Sequence, residues 1–131
     1  YVLVTGENKF DGSGKIKKQD SVDENEIILD IGTETIKKIE AIIDKSNTVL
    51  WNGPAGYFEN KNFAEGTNLI AEKISENTKK NLIKSILGGG DTLAAINKSK
   101  LKLTFTHLST AGGAFLEYLE GKDLPGISVL K

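Results

Sequence analysis

The 131-residue sequence contains no cysteine, no methionine and only one histidine, His107. Without cysteine the chain can form neither a disulfide scaffold nor a thiolate metal site, and one imidazole cannot serve a site that needs several. No apolar run approaches the roughly 18 residues of a membrane span. The start of the chain also lacks the basic and apolar stretches of a signal peptide. We therefore expect a cytoplasmic protein that does not enter a membrane.

The sequence also has no large excess of positive or negative charge, because the formal net charge is only −1. A nearly neutral chain is not drawn strongly to nucleic acid or to a membrane surface, so we expect neither as a partner. The length suits one ordinary domain. Because the sequence has no methionine and begins at Tyr1, we interpret it as part of a longer protein.

The apolar residues recur with a period that alternates between strand and helix. Strands are predicted over 1–5, 26–30, 48–51, 82–87 and 103–108, and helices over 33–44, 67–75, 91–96 and 114–119. Because parallel strands need helical crossovers, this order predicts an α/β fold, a three-layer, Rossmann-like parallel sheet with helices on both faces. The polar segment 6–26 is predicted to be a peripheral loop within it.

Three turns with special residues follow the predicted strands: Asn-Gly-Pro at 52–54, Gly-Gly-Gly-Asp-Thr at 88–92 and Thr-Ala-Gly-Gly at 110–113. Ligands of open parallel sheets bind beyond the carboxyl ends of the strands. The second and third turns lead into helix N-termini, where unpaired amides and the helix dipole favour an anion. Glycine is common in such turns for conformational reasons alone, but two of them at one sheet edge favour a phosphate site.

Asp91 has two possible roles that the residues alone leave open. Aspartate is a good N-cap for the helix that follows. It also coordinates Mg²⁺ through one carboxylate oxygen while substrate phosphates supply other ligands. His107, Trp51 and Phe105 lie in apolar predicted strands, and we interpret them as structural residues.

Two familiar nucleotide fingerprints are absent from the sequence. There is no G-x-x-x-x-G-K-[ST] motif, which excludes a standard P-loop. There is no G-x-G-x-x-G at a strand-to-helix turn either, which disfavours a Rossmann dehydrogenase. A phosphate site built on other glycine turns stays open, either in an enzyme or in a free-standing nucleotide- or phosphate-binding module that catalyses nothing.

Several stretches of the sequence resemble those of phosphoglycerate kinases. Residues 51–59, Trp-Asn-Gly-Pro-Ala-Gly-Tyr-Phe-Glu, closely resemble the WNGPxGxFE stretch of that family, and 88–92 resemble its GGGD[ST] turn. Residues 30–32 resemble its DIG, and 109–117 with 119–122 and 124–126 resemble its last glycine helix and closing segment. The set has the order and spacing of the family, which makes it far more specific than any single motif.

The resemblance implies a phosphotransferase of two α/β domains. Such an enzyme transfers a phosphoryl group reversibly between 1,3-bisphosphoglycerate and ADP, giving 3-phosphoglycerate and ATP in glycolysis. Residues 1–131 would be the later part of the C-terminal nucleotide-binding domain, and thus an incomplete domain. The N-terminal domain, which binds 3-phosphoglycerate, would lie outside this sequence. The resemblance further implies Mg²⁺, ATP or ADP as substrate, a cytoplasmic location and a monomeric full chain.

The resemblance also implies roles for individual residues. Glu59 would hold the ribose hydroxyls, and Asn52, Gly53 and Pro54 would line the nucleotide site. The phosphates would meet Gly88, Gly89, Gly90, Asp91 and Thr92, with Asp91 reaching Mg²⁺ through the nucleotide. Gly112 and Gly113, together with Gly90, would be the catalytic positions that present helix amides to the transferring phosphoryl group.

The sequence departs from the family pattern at Ala111, where a third glycine is usual, and at Thr33, where proline follows DIG. We expect little loss from either change. The lysines and other basic residues that complete the family's active site have no counterpart here, so we expect this chain alone to have no kinase activity. A chain that ends within a parallel sheet is also expected to expose a strand edge.

Overall fold

The computed structural model describes residues 2–5 and 10–130. Its strands are β1 Val2–Thr5, β2 Lys15–Lys17, β3 Ile27–Ile31, β4 Thr48–Asn52, β5 Lys84–Gly88 and β6 His107–Ser109. Its helices are α1 Thr33–Asp44, α2 Glu65–Lys79, α3 Gly90–Ser99, α4 Gly112–Leu119 and the single turn α5 Pro125–Ser128. No helix within these ranges is long and apolar enough to cross a membrane.

The predicted α/β fold with a parallel sheet is confirmed by β4, β5 and β6, which pair in that order and all run in parallel. Helices α2 and α3 lie between them in the chain and provide the crossovers. The core contains Ile43, Ile70, Ile74 and Ile83, with the half-buried Val49, Trp51 and Phe105 packed against it. Trp51 and Phe105 thus border the core as structural residues.

The first three strands form a separate antiparallel sheet in the order β2-β1-β3. The expectation that β1 and β3 belong to the parallel sheet is therefore wrong. The described part of the chain between them contains no α-helix, and without a crossover helix a strand returns antiparallel to its neighbour. The prediction of a loop over 6–26 is wrong at two places, where the chain forms β2 and a 3₁₀ turn at Gln19–Ser21. Residues 6–9 of that loop lie outside the described residues.

The strand predicted at 103–108 is reduced to β6, because side chains take over its hydrogen bonds. The amide of Thr104 donates to Ser75 Oγ over 2.8 Å. The amide of Thr106 donates to Ser85 Oγ, and the Ser85 amide donates in return to Thr106 Oγ1, both over 3.0 Å. Hydroxyl groups of this kind offer the backbone an alternative to the ladder. His107 lies exposed at the start of β6.

Strand β4 is less buried than its apolar sequence suggests. Its residues alternate between exposed and half-buried, and Leu50 keeps 41% of its surface accessible. Within the described part of the chain β4 pairs only with β5, so it is an edge strand of the parallel sheet.

Candidate functional site

The three predicted turns lie side by side beyond the carboxyl ends of the parallel strands. The register places Asn52, the last residue of β4, opposite Gly88, the last residue of β5. Gly88 in turn lies opposite Ser109, the last residue of β6. Because all three strands end at the same level, the residues that follow them meet beyond the sheet, where ligands of such folds bind.

Two glycine turns at this edge touch each other through their backbones. A Cβ added at Gly112 would lie 2.8 Å from Cα of Gly89. A Cβ at Gly89 would lie 2.6 Å from Oδ1 of Asn52, and Gly89 also has a φ of +94° that side-chain-bearing residues rarely adopt. Packing inside the protein thus explains the glycines at 89 and 112.

Packing does not explain Gly90 and Gly113, the other members of these turns. A Cβ at either position would find no atom within 4 Å. Gly90 is the first residue of α3, and Gly113 is the second of α4. Their backbones therefore border open space at two neighbouring helix N-termini, which is where an anionic ligand can approach.

Asp91 does not cap α3, so the N-cap alternative is wrong. The cap residue is Gly89, and Asp91 is the exposed second residue of the helix. Its carboxylate is free of that backbone role and lies in the first turn beside the two glycine turns. Among the described residues no three His, Cys, Asp or Glu side chains group into a metal site. A divalent cation here would depend on Asp91 together with ligand phosphates and water, which is how Mg²⁺ is commonly bound.

Thr92 joins the first turn to the second. Its side chain is fully buried, and its Oγ1 accepts the Gly53 amide hydrogen over 2.7 Å. Pro54 follows, half-buried, on the same loop. The hydroxyl of Thr92 therefore has a structural partner within the chain, and its predicted phosphate contact stays a prediction.

Glu59 lies away from the glycine turns, toward the other end of α3. Its backbone oxygen accepts a hydrogen bond from Lys98 Nζ over 2.7 Å. Lys98 is eight residues beyond Gly90, or about 12 Å along the helix axis. The Glu59 backbone is thus tied to the C-terminal half of α3, and its side chain is exposed.

Phe10 and Asp11 of the predicted loop form one side of a pocket that Glu59 also lines. Phe10 packs edge-on against Tyr57 with ring centroids 5.3 Å apart. The side-chain amide of Asn60 donates to the backbone oxygens of Phe10 and Gly12 over 2.9 and 3.1 Å. This approach was not predictable from local pattern, since the partners lie about fifty positions apart in the chain.

Two further side chains hold the loop between β4 and α2 and the start of α2; Asp30 belongs to the DIG resemblance, whereas no role was predicted for Thr67. Oγ1 of Thr67 accepts the amide hydrogens of Ala55 and Gly56 over 2.9 and 3.3 Å. Asp30, only 2% exposed, accepts the Gly66 amide hydrogen over 3.0 Å at the start of α2. Burial raises the pKa of the Asp30 carboxyl, although the amide hydrogen bonds from Gly66 and its neighbour Ile31 partly oppose the shift.

Comparison with known proteins matches this chain to phosphoglycerate kinases. The family model described as "Phosphoglycerate kinase" matches residues 2–122. The phosphoglycerate kinase of Francisella tularensis subsp. novicida (strain U112) is 48% identical over 130 residues, which are 99% of this chain and 32% of that protein. The one from Dictyoglomus turgidum (strain DSM 6724 / Z-1310) is 49% identical over 129 residues, 98% of this chain and 32% of its own length.

Solved structures agree with the sequence relatives. The phosphoglycerate kinase from Coxiella burnetii superposes with a TM-score of 0.84 at 43% identity, covering 98% of this chain and 32% of that one. The enzyme from Pyrococcus horikoshii OT3 superposes with a TM-score of 0.80 at 32% identity, covering 98% and 31%. The chain therefore spans about a third of the length of the relatives that it matches.

The contact between the two glycine turns makes Gly112 and Gly113 an informative pair. In Gly112→Ala the new Cβ meets backbone atoms, so we expect the free energy of unfolding to fall by about 1–3 kcal/mol. In Gly113→Ala the Cβ enters open space, and alanine favours a helix by up to about 1 kcal/mol. Urea denaturation should therefore show a loss for the first variant and none for the second. Equal losses would contradict the packing described here.

The raised pKa of Asp30 predicts a particular pH dependence of stability. The folded state holds the Asp30 proton more tightly than the unfolded state, whose carboxyl has the ordinary value of 3.8. The contribution of Asp30 is thus complete below the unfolded pKa and is lost as pH rises through the folded pKa. We expect the free energy of unfolding of the wild type, relative to Asp30→Asn, to fall as pH rises above 3.8.

Asp44 provides a control of opposite sign. Hydrogen bonds from Asn77 and Lys73 lower the pKa of its carboxyl, so its contribution is present above the unfolded value of 3.8 and is lost as pH falls through the folded pKa. The wild type relative to Asp44→Asn should therefore gain stability as pH rises. Urea denaturation across the acid range measures both differences, and slopes of the same sign would contradict the environments described.

Proposed function

The chain belongs to the phosphoglycerate kinase family, and from that membership we propose that it carries the Mg-nucleotide site of a phosphotransferase. The reaction is reversible phosphoryl transfer between 1,3-bisphosphoglycerate and ADP, giving 3-phosphoglycerate and ATP in glycolysis. The observation that carries the proposal is the meeting of three strand-end turns at one sheet edge, with the backbones of Gly89 and Gly112 in contact. In this proposal residues 1–131 are the later part of the C-terminal nucleotide-binding domain.

The phosphate end of the nucleotide is proposed to lie against the N-termini of α3 and α4. Open space beside Gly90 and Gly113 supports this placement, because a phosphate can reach the amides there without displacing protein atoms. Gly89 continues the same surface, whereas Gly88 is buried at the end of β5, and Asp91 lies in the first turn of α3, where it can hold a phosphate-bound Mg²⁺. Mg²⁺ neutralises charge on the phosphates, which is its usual contribution to this chemistry.

The nucleoside end is proposed to extend along the loop from Asn52, Gly53 and Pro54 toward Glu59. The separation of Glu59 from the glycine turns suits an elongated ligand with phosphates at one end and ribose at the other. The Glu59 carboxylate, exposed near the far end of α3, can accept hydrogen bonds from two ribose hydroxyls. Thr92 is then a residue of the floor between the two ends.

Phosphoryl transfer depends mainly on positioning and on charge neutralisation, which this edge of the sheet can supply in part. Gly90, Gly112 and Gly113 would present helix amides to the transferring group. The acceptor, 3-phosphoglycerate, is proposed to bind to a second domain outside this sequence. The whole enzyme is proposed to be monomeric and cytoplasmic, with no nucleic acid or membrane partner.

The nucleotide site is testable by calorimetric titration of Mg-ADP into the chain. We expect saturable binding, weakened roughly tenfold or more by Asp91→Asn through loss of the metal contact. Glu59→Gln should weaken it roughly tenfold as well, because hydrogen bonds to a charged acceptor are worth about 1.5–3 kcal/mol. The effect of Asp91→Asn should vanish when ADP is titrated without Mg²⁺, whereas the effect of Glu59→Gln should persist.

Asp123→Asn and Glu72→Gln are matched controls, since both replace exposed carboxylates, beyond the end of α4 and on α2. They should bind Mg-ADP as the wild type does. Absence of binding by the folded wild-type chain would contradict the proposal that this chain forms the pocket. Equal losses in the controls would contradict the residue assignments.

The chain alone is expected to have no measurable kinase activity, because the basic residues and the acceptor domain that the family reaction needs lie outside it. A coupled assay with 3-phosphoglycerate and Mg-ATP measures this directly, with a complete family enzyme as the positive control. Turnover by the purified chain would contradict the expectation. Binding without turnover in this chain is also what a free-standing nucleotide module would give, and activity of a longer polypeptide containing the chain distinguishes the two.

A further inference from the structure

Two buried threonines hold the loop that follows β4, and each occupies the third position of a helix. Thr92 is third in α3 and holds the Gly53 amide; Thr67 is third in α2 and holds the amides of Ala55 and Gly56. Only 1% of Thr67 is accessible to solvent. The loop is thus suspended between two helix N-termini by threonine hydroxyls.

The position of Thr67 is itself fixed by Asp30. The Asp30 carboxylate accepts the Gly66 amide, one residue before Thr67. A Cβ at Gly66 or at Gly56 would collide with the same carboxylate. Asp30 therefore lies between the start of α2 and the loop. Its carboxylate fits there because Gly56 and Gly66 have no side chains.

We propose that Thr67 is a positioning residue for nucleotide binding, which it supports through the loop and not by touching the ligand. This inference rests on the proposed function, since the loop carries Asn52 to Pro54 at one end and Glu59 at the other. Between these ends the loop has few other ties, and one is the Tyr57 amide, which donates to the Leu29 carbonyl over 2.7 Å. Without the Thr67 hydroxyl the middle of the loop loses its anchor, whereas its ends keep the contacts of Gly53 with Thr92 and of Glu59 with Lys98.

The reason for an effect on affinity is pre-organisation. A loop already held in its binding conformation loses little freedom when the ligand arrives, whereas a released loop must be ordered at the expense of affinity. Valine has nearly the shape of threonine but offers no acceptor, so Thr67→Val leaves two amides without a partner. Serine keeps the hydroxyl, and Thr67→Ser should restore the anchoring.

The test uses Thr67→Val, Thr67→Ser and the control Thr78→Val. Thr78 lies near the other end of α2, where its hydroxyl bonds the Ile74 carbonyl and Ser85 away from the loop. Mg-ADP affinity is measured by calorimetry, at a temperature where each variant is folded by circular dichroism. Amide hydrogen exchange of Ala55 and Gly56 is measured by NMR without ligand.

We expect Thr67→Val to raise the Kd for Mg-ADP roughly tenfold and to speed exchange at Ala55 and Gly56. Thr67→Ser and Thr78→Val should stay within about twofold of the wild type in affinity. Equal affinity in Thr67→Val, or an equal loss in Thr78→Val, would overturn the proposal, since either shows that the hydroxyl acts on stability alone.

The amide exchange separates this inference from the function on which it rests. If the wild-type chain binds no Mg-ADP, the proposed function and the predicted effect on affinity are both wrong. Amide hydrogen exchange at Ala55 and Gly56 still tests whether Thr67 anchors the loop. If Thr67→Val does not fold, the test uses the wild-type chain alone. Amide exchange at Ala55 and Gly56 that is as fast as in an unprotected peptide would then show that Thr67 does not anchor the loop. Protection of both amides, lost in Thr67→Val and kept in Thr67→Ser, supports it.

Discussion

The contact between the backbones of Gly89 and Gly112 is the constraint on which the site depends. It brings the N-termini of α3 and α4 together, and any side chain at Gly112 would force them apart. Asn52 fits against the same surface, because Gly89 leaves room for its side-chain oxygen. The ends of three strands are thus brought together. Gly90 and Gly113, where a Cβ would meet no atom beyond its own neighbours and helix, border open space.

The loop beside this edge is held by buried polar groups. The hydroxyls of Thr67 and Thr92 accept backbone amides of the loop, and the carboxylate of Asp30 accepts the Gly66 amide at the start of α2. Such amides would be costly to bury without a partner, so these side chains let an irregular loop pack against the domain. Burying Asp30 in this position raises the pKa of its carboxyl, because the charged form loses its contact with water.

The sequence predicted those parts of the fold that depend on local pattern. Helix α1 begins and ends at the predicted residues, since its apolar period is strong and its ends are marked by Gly32 and Asp44. The three turns were found because glycine runs are visible in the sequence itself. Shorter signals failed: the segment 103–108 has a strand-like composition, but its amides find hydroxyls of Ser75 and Ser85 that lie far away in the chain.

Residues that act over long separations in sequence were not predictable from local pattern. Nothing around Thr67 shows that its hydroxyl serves a loop before the helix, and Asp30 reaches an amide 36 positions away. Phe10 lines the pocket near Glu59, and Asn60 ties the backbone of Phe10 and Gly12 to this region across about fifty residues. The resemblance identified the motif residues, whereas the geometry that connects them required the structure.

The most direct test of the account is a crystal structure of the chain with Mg-ADP. We expect phosphate oxygens within roughly 3 Å of amides at the N-termini of α3 or α4. We also expect Mg²⁺ beside Asp91 and ribose hydroxyls at Glu59. A nucleotide bound elsewhere, for example on the lysines at 98–102, with the two glycine turns left empty, would contradict it.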